Sequence, residues 1–303
     1  NVRWRDAQAG AEYRVQNLSL VTGRIEPGQA FPVSLKLSAS SAGQANADIQ
    51  LDTQVLLRKQ KLSLSDLVLK TRADGELIPV DQLNATVQGD VNFDLNSMQL
   101  GVSGFNAAVN TNGGAVDSSN LAIAGEVGFD LNQQHLVIGA LEITASAAGK
   151  DIPTGSIDAS MSNRELDMQL ANRSIKLPDL MLLIGENRFD GFINVRDFAQ
   201  PAVDFKLDSK KVDVDKLTGW KRPEPAPEND PQSETAGAGE PKQDVQIALP
   251  MELLRALDIN GELGIGELVA QGLTFSNLTL KVKAEDGIVR LNPLALDLYE
   301  GHL

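Results

Sequence analysis

The stretch that decides the fold of this 303-residue chain occurs twice, as GDVNFDLNSMQL at residues 89–100 and as GEVGFDLNQQHL at residues 125–136. In both copies apolar and polar residues alternate, which is the period of a β-strand with one apolar face. The asparagine at position 96 or 132 then predicts the start of a hairpin turn, because asparagine tolerates left-handed backbone. A strand-and-turn unit that recurs predicts a sheet extended by similar units. The residues predicted to share the apolar face of this repeat are Val91, Phe93, Leu95, Val127, Phe129 and Leu131.

The same alternation appears elsewhere in the chain, with short polar breaks between the runs. Two clear examples lie far from the repeat, at Val203, Phe205 and Leu207, and at Leu278, Leu280 and Val282. Successive strands with short connections favour antiparallel pairing. The predicted fold is therefore mainly β: an elongated, curved antiparallel sheet, extended by repeats, with a few short helices. Those helices are expected at residues 178–185, 213–220 and 250–258.

An apolar face of this length cannot remain in water without a partner or an occupant. Aromatic residues make up only 4% of the chain, so Leu, Val, Ile and Ala must form most of this face. Such side chains line a surface without filling the space above it. The pattern leaves two arrangements open, a sandwich in which a second sheet covers the face and an open groove whose concave side holds lipid chains.

Enzymatic chemistry has no set of residues to support it. The chain has no cysteine and only two histidines, His135 and His302, and neither lies in a catalytic or metal-binding motif. Asp213 and Asp215 could contact a metal ion, but no calcium-loop pattern accompanies them, and a polar sheet face is the favoured interpretation. The net charge of −14 argues against nucleic acid. We therefore predict no enzymatic activity and no cofactor.

Two basic clusters stand out in this acidic chain, residues 58–61 (RKQK) and residues 210–211 (KK). They are suited to anionic lipid headgroups, but solvated hairpin tips explain them as well, and the second interpretation is favoured.

Residues 221–244 differ from the rest of the chain, since they contain five prolines and almost no large apolar side chain. This composition predicts a disordered Pro/Glu-rich linker or loop. The expected division is residues 1–220 as the N-terminal part of a β-groove domain and residues 245–303 as the start of a C-terminal β region that continues beyond Leu303.

Several segments resemble the AsmA-like family, namely residues 15–35, 185–195, 198–201, 212–217, 249–261, 272–278, 286–287, 291–294 and 298–301. The resemblance implies an envelope protein of Gram-negative bacteria that is anchored in the inner membrane and faces the periplasm. It also implies similarity to bridge-like lipid-transfer proteins and a role in phospholipid transport and outer-membrane integrity. The anchor would lie outside this sequence.

Under this resemblance we expect a non-enzymatic periplasmic lipid-binding module whose partners are phospholipid acyl chains and the inner membrane. The alternative is a structural or assembly factor that binds envelope proteins without carrying lipid. The family has no catalytic residues to transfer, so the expected lipid contacts come from the alternation alone: Val91, Phe93, Leu95, Val127, Phe129, Leu131, Val203, Phe205, Leu207, Leu278, Leu280 and Val282.

Overall fold

The structure, a computed structural model, describes residues 2–5, 12–41, 45–198, 201–221, 258–285, 288–298 and 301–302. Most of these residues belong to one sheet of 17 strands. A short helix, α1 (Val214–Thr218), follows the thirteenth strand. The strands are β1 (Val2–Arg5), β2 (Glu12–Thr22), β3 (Phe31–Ser41), β4 (Ala45–Arg58), β5 (Lys61–Gly75), β6 (Gln82–Asp94), β7 (Gln99–Asn112), β8 (Ser118–Asp130), β9 (His135–Ala148), β10 (Ser156–Gln169), β11 (Ser174–Ile184), β12 (Asn187–Arg196), β13 (Ala202–Asp213), β14 (Asp258–Ala270), β15 (Leu273–Glu285), β16 (Ile288–Leu298) and β17 (Gly301–His302).

Each strand pairs with the next strand along the chain, from β1 and β2 through to β16 and β17. The sheet is open and curved, which confirms the predicted elongated, mainly β class and agrees with the groove arrangement. Within the described ranges the pairs are antiparallel apart from β13 and β14, which run parallel. A parallel pair requires a long crossover connection, and the residues between Asp213 and Asp258 supply that length.

The expected linker at residues 221–244 lies outside the described residues, apart from Lys221. The strands on its two sides, β13 and β14, are nevertheless neighbours: Ala202 lies opposite Asp258, and Asp213 lies opposite Val269. The sheet therefore continues across this segment, and the division of the chain at 220 and 245 stays an expectation.

Regular bulges bend the sheet. Asp66 in β5, Gly104 in β7 and Ala140 in β9 have positive φ angles of 54°, 60° and 47°. At the bulges in β5 and β7 the register with the neighbouring strands shifts by one residue. A bulge increases the local twist and bends the strand that carries it. Because the bulges recur in successive hairpins, the bend runs along the length of the sheet.

The first glycine of each repeat lies beside these bulges, where the backbones approach closely. A Cβ atom on Gly89 would lie 2.9 Å from Cγ1 of Val102, and a Cβ on Gly125 would lie 2.8 Å from Cγ2 of Ile138. Larger residues would push the bulged strands apart, so the sequence repeat reflects the curvature as well as the strand pattern.

The side chains that the structure buries all lie on one face of the sheet. The principal contacts between elements in the described ranges join sheet neighbours, and α1 adds contacts to β14. Because the sheet is a single layer, a side chain can be buried only by its neighbours on the same face. Those neighbours approach closely enough only where the face is concave. The buried residues are Leu141, Leu180, Val212, Ile265, Ala284, Ser41, Thr53, Asn163, Asn187 and Ser209.

Two local expectations are corrected. Residues 178–185 do not form a helix, because Leu182 and Ile184 belong to β11 and pair on both sides. Pro178 lies at a shift of register between Leu177 and Leu180, where its missing N–H costs no ladder hydrogen bond.

The second correction concerns the turns of the repeat. The left-handed residues there are Met98 and Gln134, at the end of each turn, and the asparagines are not among them. The aspartate that closes each strand fixes the turn instead: Asn96 N donates to Asp94 at 2.9 Å.

Of the other expected helices, the one at 213–220 is present as α1, with Asp213 as its N-cap. Residues 250–257 lie outside the described residues, and Asp258 begins β14.

Candidate functional site

The concave face carries continuous rows of apolar side chains that cross the sheet from strand to strand. Directly opposite residues in neighbouring strands share a face, so the register defines each row. We call the row that contains both repeat phenylalanines the phenylalanine row. It runs without a polar residue from β4 to β16, through Leu57, Leu62, Phe93, Leu100, Phe129, Leu136, Met168, Ile175, Val195, Val203, Ile259, Ala284 and Val289.

A second row follows the other half of the strands, beyond the bulges. It crosses ten pairs from β2 to β12 through Leu20, Leu35, Leu51, Leu69, Val87, Ala107, Ile123, Ile143, Met161, Leu182 and Phe189. The two rows lie on the same face, since the bulges shift the alternation by one residue and so keep the apolar side chains on the concave side. Together they form an apolar trough whose long axis crosses the strands.

Ten of the twelve residues proposed from the alternation lie in strands on this face. Val91 lies opposite Val102, which lies opposite Val127. Phe205 lies opposite Gly261, which lies opposite Val282, and the same register places Leu207 with Leu280. The structure thus places on one face segments that are more than 100 residues apart in the sequence. Whether they contact lipid stays a prediction.

The other two, Leu95 and Leu131, lie in hairpin turns at the rim of the trough. The turns are linked in series: Leu95 N donates to Gln60 O at 2.8 Å, and Leu131 N donates to Met98 O at 3.0 Å. Two residues that the alternation did not single out, Leu170 and Phe198, continue this series.

Leu170 N donates to Gln134 O at 2.9 Å, and Phe198 N donates to Arg173 O at 3.0 Å. Leu95, Leu170 and Phe198 are 47%, 40% and 39% exposed, so the rim presents apolar side chains to its surroundings. The signal that could have identified them is weak: each follows a polar residue at the end of a strand, as Leu170 follows Gln169.

Polar residues also lie on the concave face, along the line of bulges, and they bind backbone groups. Thr53 Oγ1 donates to Ser65 O at 3.0 Å, and Ser209 Oγ donates to Lys211 O at 3.0 Å. Asn163 accepts from Glu165 N at 3.0 Å through Oδ1, whereas its buried Nδ2 has no partner among the described residues. The curvature therefore introduces a narrow polar seam between the two apolar rows.

The convex face is polar, and its charged groups are paired across strands. His135 Nε2 lies 3.0 Å from Asp167 Oδ2, which places this histidine in a partly exposed pair. Lys61 Nζ lies 3.1 Å from Asp94 Oδ2. Hydrogen bonds from Asn96 N, from Lys61 and from a second turn amide lower the pKa of the Asp94 carboxyl.

Asp213 and Asp215, the pair considered as metal ligands, have structural partners. Asp213 accepts from Lys216 N at 2.9 Å as the cap of α1. Asp215 accepts from Gln271 N at 2.6 Å and from Gly272 N at 2.7 Å, which ties α1 to the turn between β14 and β15. Among the residues that the structure describes, no cluster of three or more His, Cys, Asp or Glu side chains could hold a metal ion.

The arrangement as a whole offers a long apolar surface, with no constellation for catalysis among the described side chains. None of the helices in the described part of the chain is long and apolar enough to cross a membrane.

The comparisons with known proteins point to a single family. No curated protein and no solved structure matches the chain. The model of the AsmA family matches residues 1–303, the whole length. This family is associated with the cell envelope and with lipid-related functions, and it is not known as a family of enzymes. The complete match, on a sheet of this form, shows that the chain belongs to the AsmA family.

Proposed function

We propose that this chain is a non-enzymatic lipid-binding and lipid-transfer module of the periplasm, tethered to the inner membrane, which contributes to phospholipid transport and outer-membrane biogenesis. Phospholipid acyl chains lie on the concave face, along the phenylalanine row and the row parallel to it. The observation that carries the proposal is the uninterrupted apolar character of the phenylalanine row from β4 to β16.

The dimensions suit acyl chains. Neighbouring strands lie about 4.8 Å apart, so the phenylalanine row extends for roughly 55–60 Å. The hydrocarbon core of a bilayer, which contains two layers of acyl chains, is about 30 Å thick. The row is therefore long enough to hold several chains in succession, as transfer along the trough requires.

The energetics also favour an occupant. Covering about 400 Å² of apolar surface contributes on the order of 10 kcal/mol before the costs of ordering. The side chains of the phenylalanine row are mainly aliphatic, and the face has no covering sheet in the described ranges. A flexible apolar chain can follow such a curved surface without specific polar contacts.

A crosslinking experiment tests this proposal directly. The photoreactive residue p-benzoylphenylalanine is placed at Phe205, on the concave face, and in a separate variant at Asp204, its neighbour on the convex face. After irradiation of intact cells, mass spectrometry of the purified protein should find phospholipid attached at position 205 and none at position 204.

The same experiment distinguishes the lipid-binding function from the alternative function. A structural or assembly factor that binds envelope proteins without carrying lipid would give no lipid at position 205. Equal lipid attachment at both positions would show unspecific contact and would remove the support for a lipid trough.

A further inference from the structure

A cavity of about 1080 Å³ opens at the rim of the trough, where the connection between β2 and β3 meets the hairpin of β4 and β5. Its apolar wall includes Phe31, Val55 and Leu62. Phe31 lies opposite Val55, and Leu62 lies opposite both Leu57 and Phe93, so this wall is continuous with the apolar rows. The cavity is a side opening of the trough.

The mouth of the cavity is basic. Arg58, Lys59 and Lys61 all line it, and they come from one hairpin. Two carboxylates of this region are paired: Glu26 Oε1 lies 3.0 Å from Arg24 Nε, and Asp94 Oδ2 lies 3.1 Å from Nζ of Lys61, one of the three cations.

Of the three basic side chains at the mouth, Arg58 and Lys59 have no carboxylate partner among the described residues. Arg58 Nε donates only to a backbone carbonyl, Gly28 O, at 3.4 Å, and Lys59 takes part in none of the ion pairs there. In a chain with a net charge of −14, an uncompensated pair of cations beside an apolar cavity is a local feature that charge balance does not explain.

We propose that this cavity is a lateral port that holds the anionic phosphate headgroup of a phospholipid whose acyl chains lie in the trough. This inference rests on the proposed lipid-binding function and adds a preference for negatively charged lipids. The apolar wall accepts the first part of the acyl chains, and Arg58 and Lys59 face the phosphate at the mouth. A cavity of about 1080 Å³ exceeds the space that a small inorganic ion needs and lies at the upper limit of the range of sites for organic ligands, about 300–1,000 Å³.

The basic groups on the convex face provide a matched control. Lys36 and Lys70 line a separate depression of about 480 Å³, and each lies opposite Gln50 in β4. Arg58→Gln/Lys59→Gln and Lys36→Gln/Lys70→Gln therefore change the net charge equally but act at different places, the first pair at the β4–β5 hairpin and the second within β3 and β5.

The test measures binding of lipid monomers to the purified chain by fluorescence titration at low salt. The probes are phosphatidylglycerol, which is anionic, and phosphatidylcholine, which is zwitterionic, with the same pyrene-labelled acyl chain. Each cation contributes about a five-fold factor in affinity for an anionic group, since about 1 kcal/mol per charge corresponds to that ratio. Arg58→Gln/Lys59→Gln should thus weaken phosphatidylglycerol binding by up to about 25-fold. It should weaken phosphatidylcholine binding much less, because the choline ammonium offsets the phosphate charge, and Lys36→Gln/Lys70→Gln should alter neither.

For a third variant we expect the opposite change in affinity for phosphatidylglycerol. Asp94→Asn keeps an oxygen that can accept from the turn amides and releases Lys61 from its ion pair, so phosphatidylglycerol should bind a few-fold more tightly. Circular dichroism of all variants verifies that they fold.

The possible failures are distinguishable. If the wild-type chain binds neither probe, the proposed function itself is wrong. If it binds both probes and Arg58→Gln/Lys59→Gln has no selective effect, only the port is refuted. If that variant loses sedimentation with phosphatidylglycerol vesicles but keeps its preference for the anionic monomer, the cluster binds a membrane surface, and the port is again refuted.

Discussion

The replacement of Phe129 tests whether the concave face is an open trough or the interior of a closed core. Phe129 lies in the phenylalanine row between Leu100 and Leu136, and its side chain is largely but not completely buried. Phe129→Ala removes the ring and Phe129→Asp removes it and adds a carboxylate. The difference in unfolding free energy between these two variants therefore isolates the cost of placing the carboxylate on this face.

The expected magnitudes follow from burial. Truncation of a fully buried phenylalanine to alanine costs about 3–5 kcal/mol, so a partly exposed ring should cost about 2–3 kcal/mol. On an open concave face water reaches the carboxylate, and Phe129→Asp should be at most about 1 kcal/mol less stable than Phe129→Ala. Under a covering layer an unpaired polar group would add several kcal/mol.

The measurement uses protein from which lipid has been extracted, because a ligand bound to the native state would raise its apparent stability. Urea unfolding followed by circular dichroism gives the global free energy of unfolding. Hydrogen exchange of the amides in β8 and β9 gives the local free energy of opening, which is needed because an elongated sheet unfolds in units. In a parallel lipid analysis, Phe129→Asp should lose bound phospholipid and Phe129→Ala should retain part of it. A difference above about 3 kcal/mol between the two variants, or undiminished lipid in Phe129→Asp, would refute the open-trough reasoning.

Three further predictions concern the framework of the sheet. Gly125→Val should destabilise the chain by about 1–3 kcal/mol, because a Cβ there would lie 2.8 Å from a methyl carbon of β9. Gly128→Val is the control, since it lies in the same strand with open space at its Cβ and should not destabilise the chain. Equal thermal melts of the two variants would contradict the close-approach argument. Hydrogen bonds lower the pKa of Asp94, so its stabilising effect is complete above the unfolded-state pKa of about 3.9 and disappears as the pH falls through the lower folded-state pKa. An NMR titration of the Asn96 amide should therefore have its midpoint below about 3.9. A higher midpoint would exclude this role of Asp94. Asp215→Ala removes the acceptor for two amides of the β14–β15 turn and should cost about 1–3 kcal/mol, with faster hydrogen exchange in that turn; unchanged exchange would show that the contact is not stabilising.

Local alternation was sufficient to predict much of the apolar face. The period of two at Val91 and Phe93, and again at Val203 and Phe205, correctly indicated strands with one apolar side, because the geometry of a single strand determines which residues share a face. The duplicated glycine also carried information about the third dimension, although only the bulges beside Gly89 and Gly125 explain why it recurs.

The rim was harder to predict. Leu170 and Phe198 belong to the same series of turns as Leu95, but the sequences around them diverge from the repeat, and a backbone hydrogen bond from one turn to the next leaves no trace in residue identity. Pro178 misled the prediction in the opposite direction, since a proline beside a run of leucines is compatible with the first turn of a helix and equally with a bulge in a strand.

The sequence by itself determined the class of structure, the alternating strands and the family resemblance, because these depend on the order of residue types along the chain. Only the tertiary structure decided that the rows join across 13 strands, that the apolar face is the concave one, and that β13 and β14 run parallel. Those properties depend on register between strands distant in sequence and on bulges that bend the sheet. A one-residue shift would turn every side chain of a strand to the opposite face, and the burial of the apolar face together with the geometry of the turns excludes that shift.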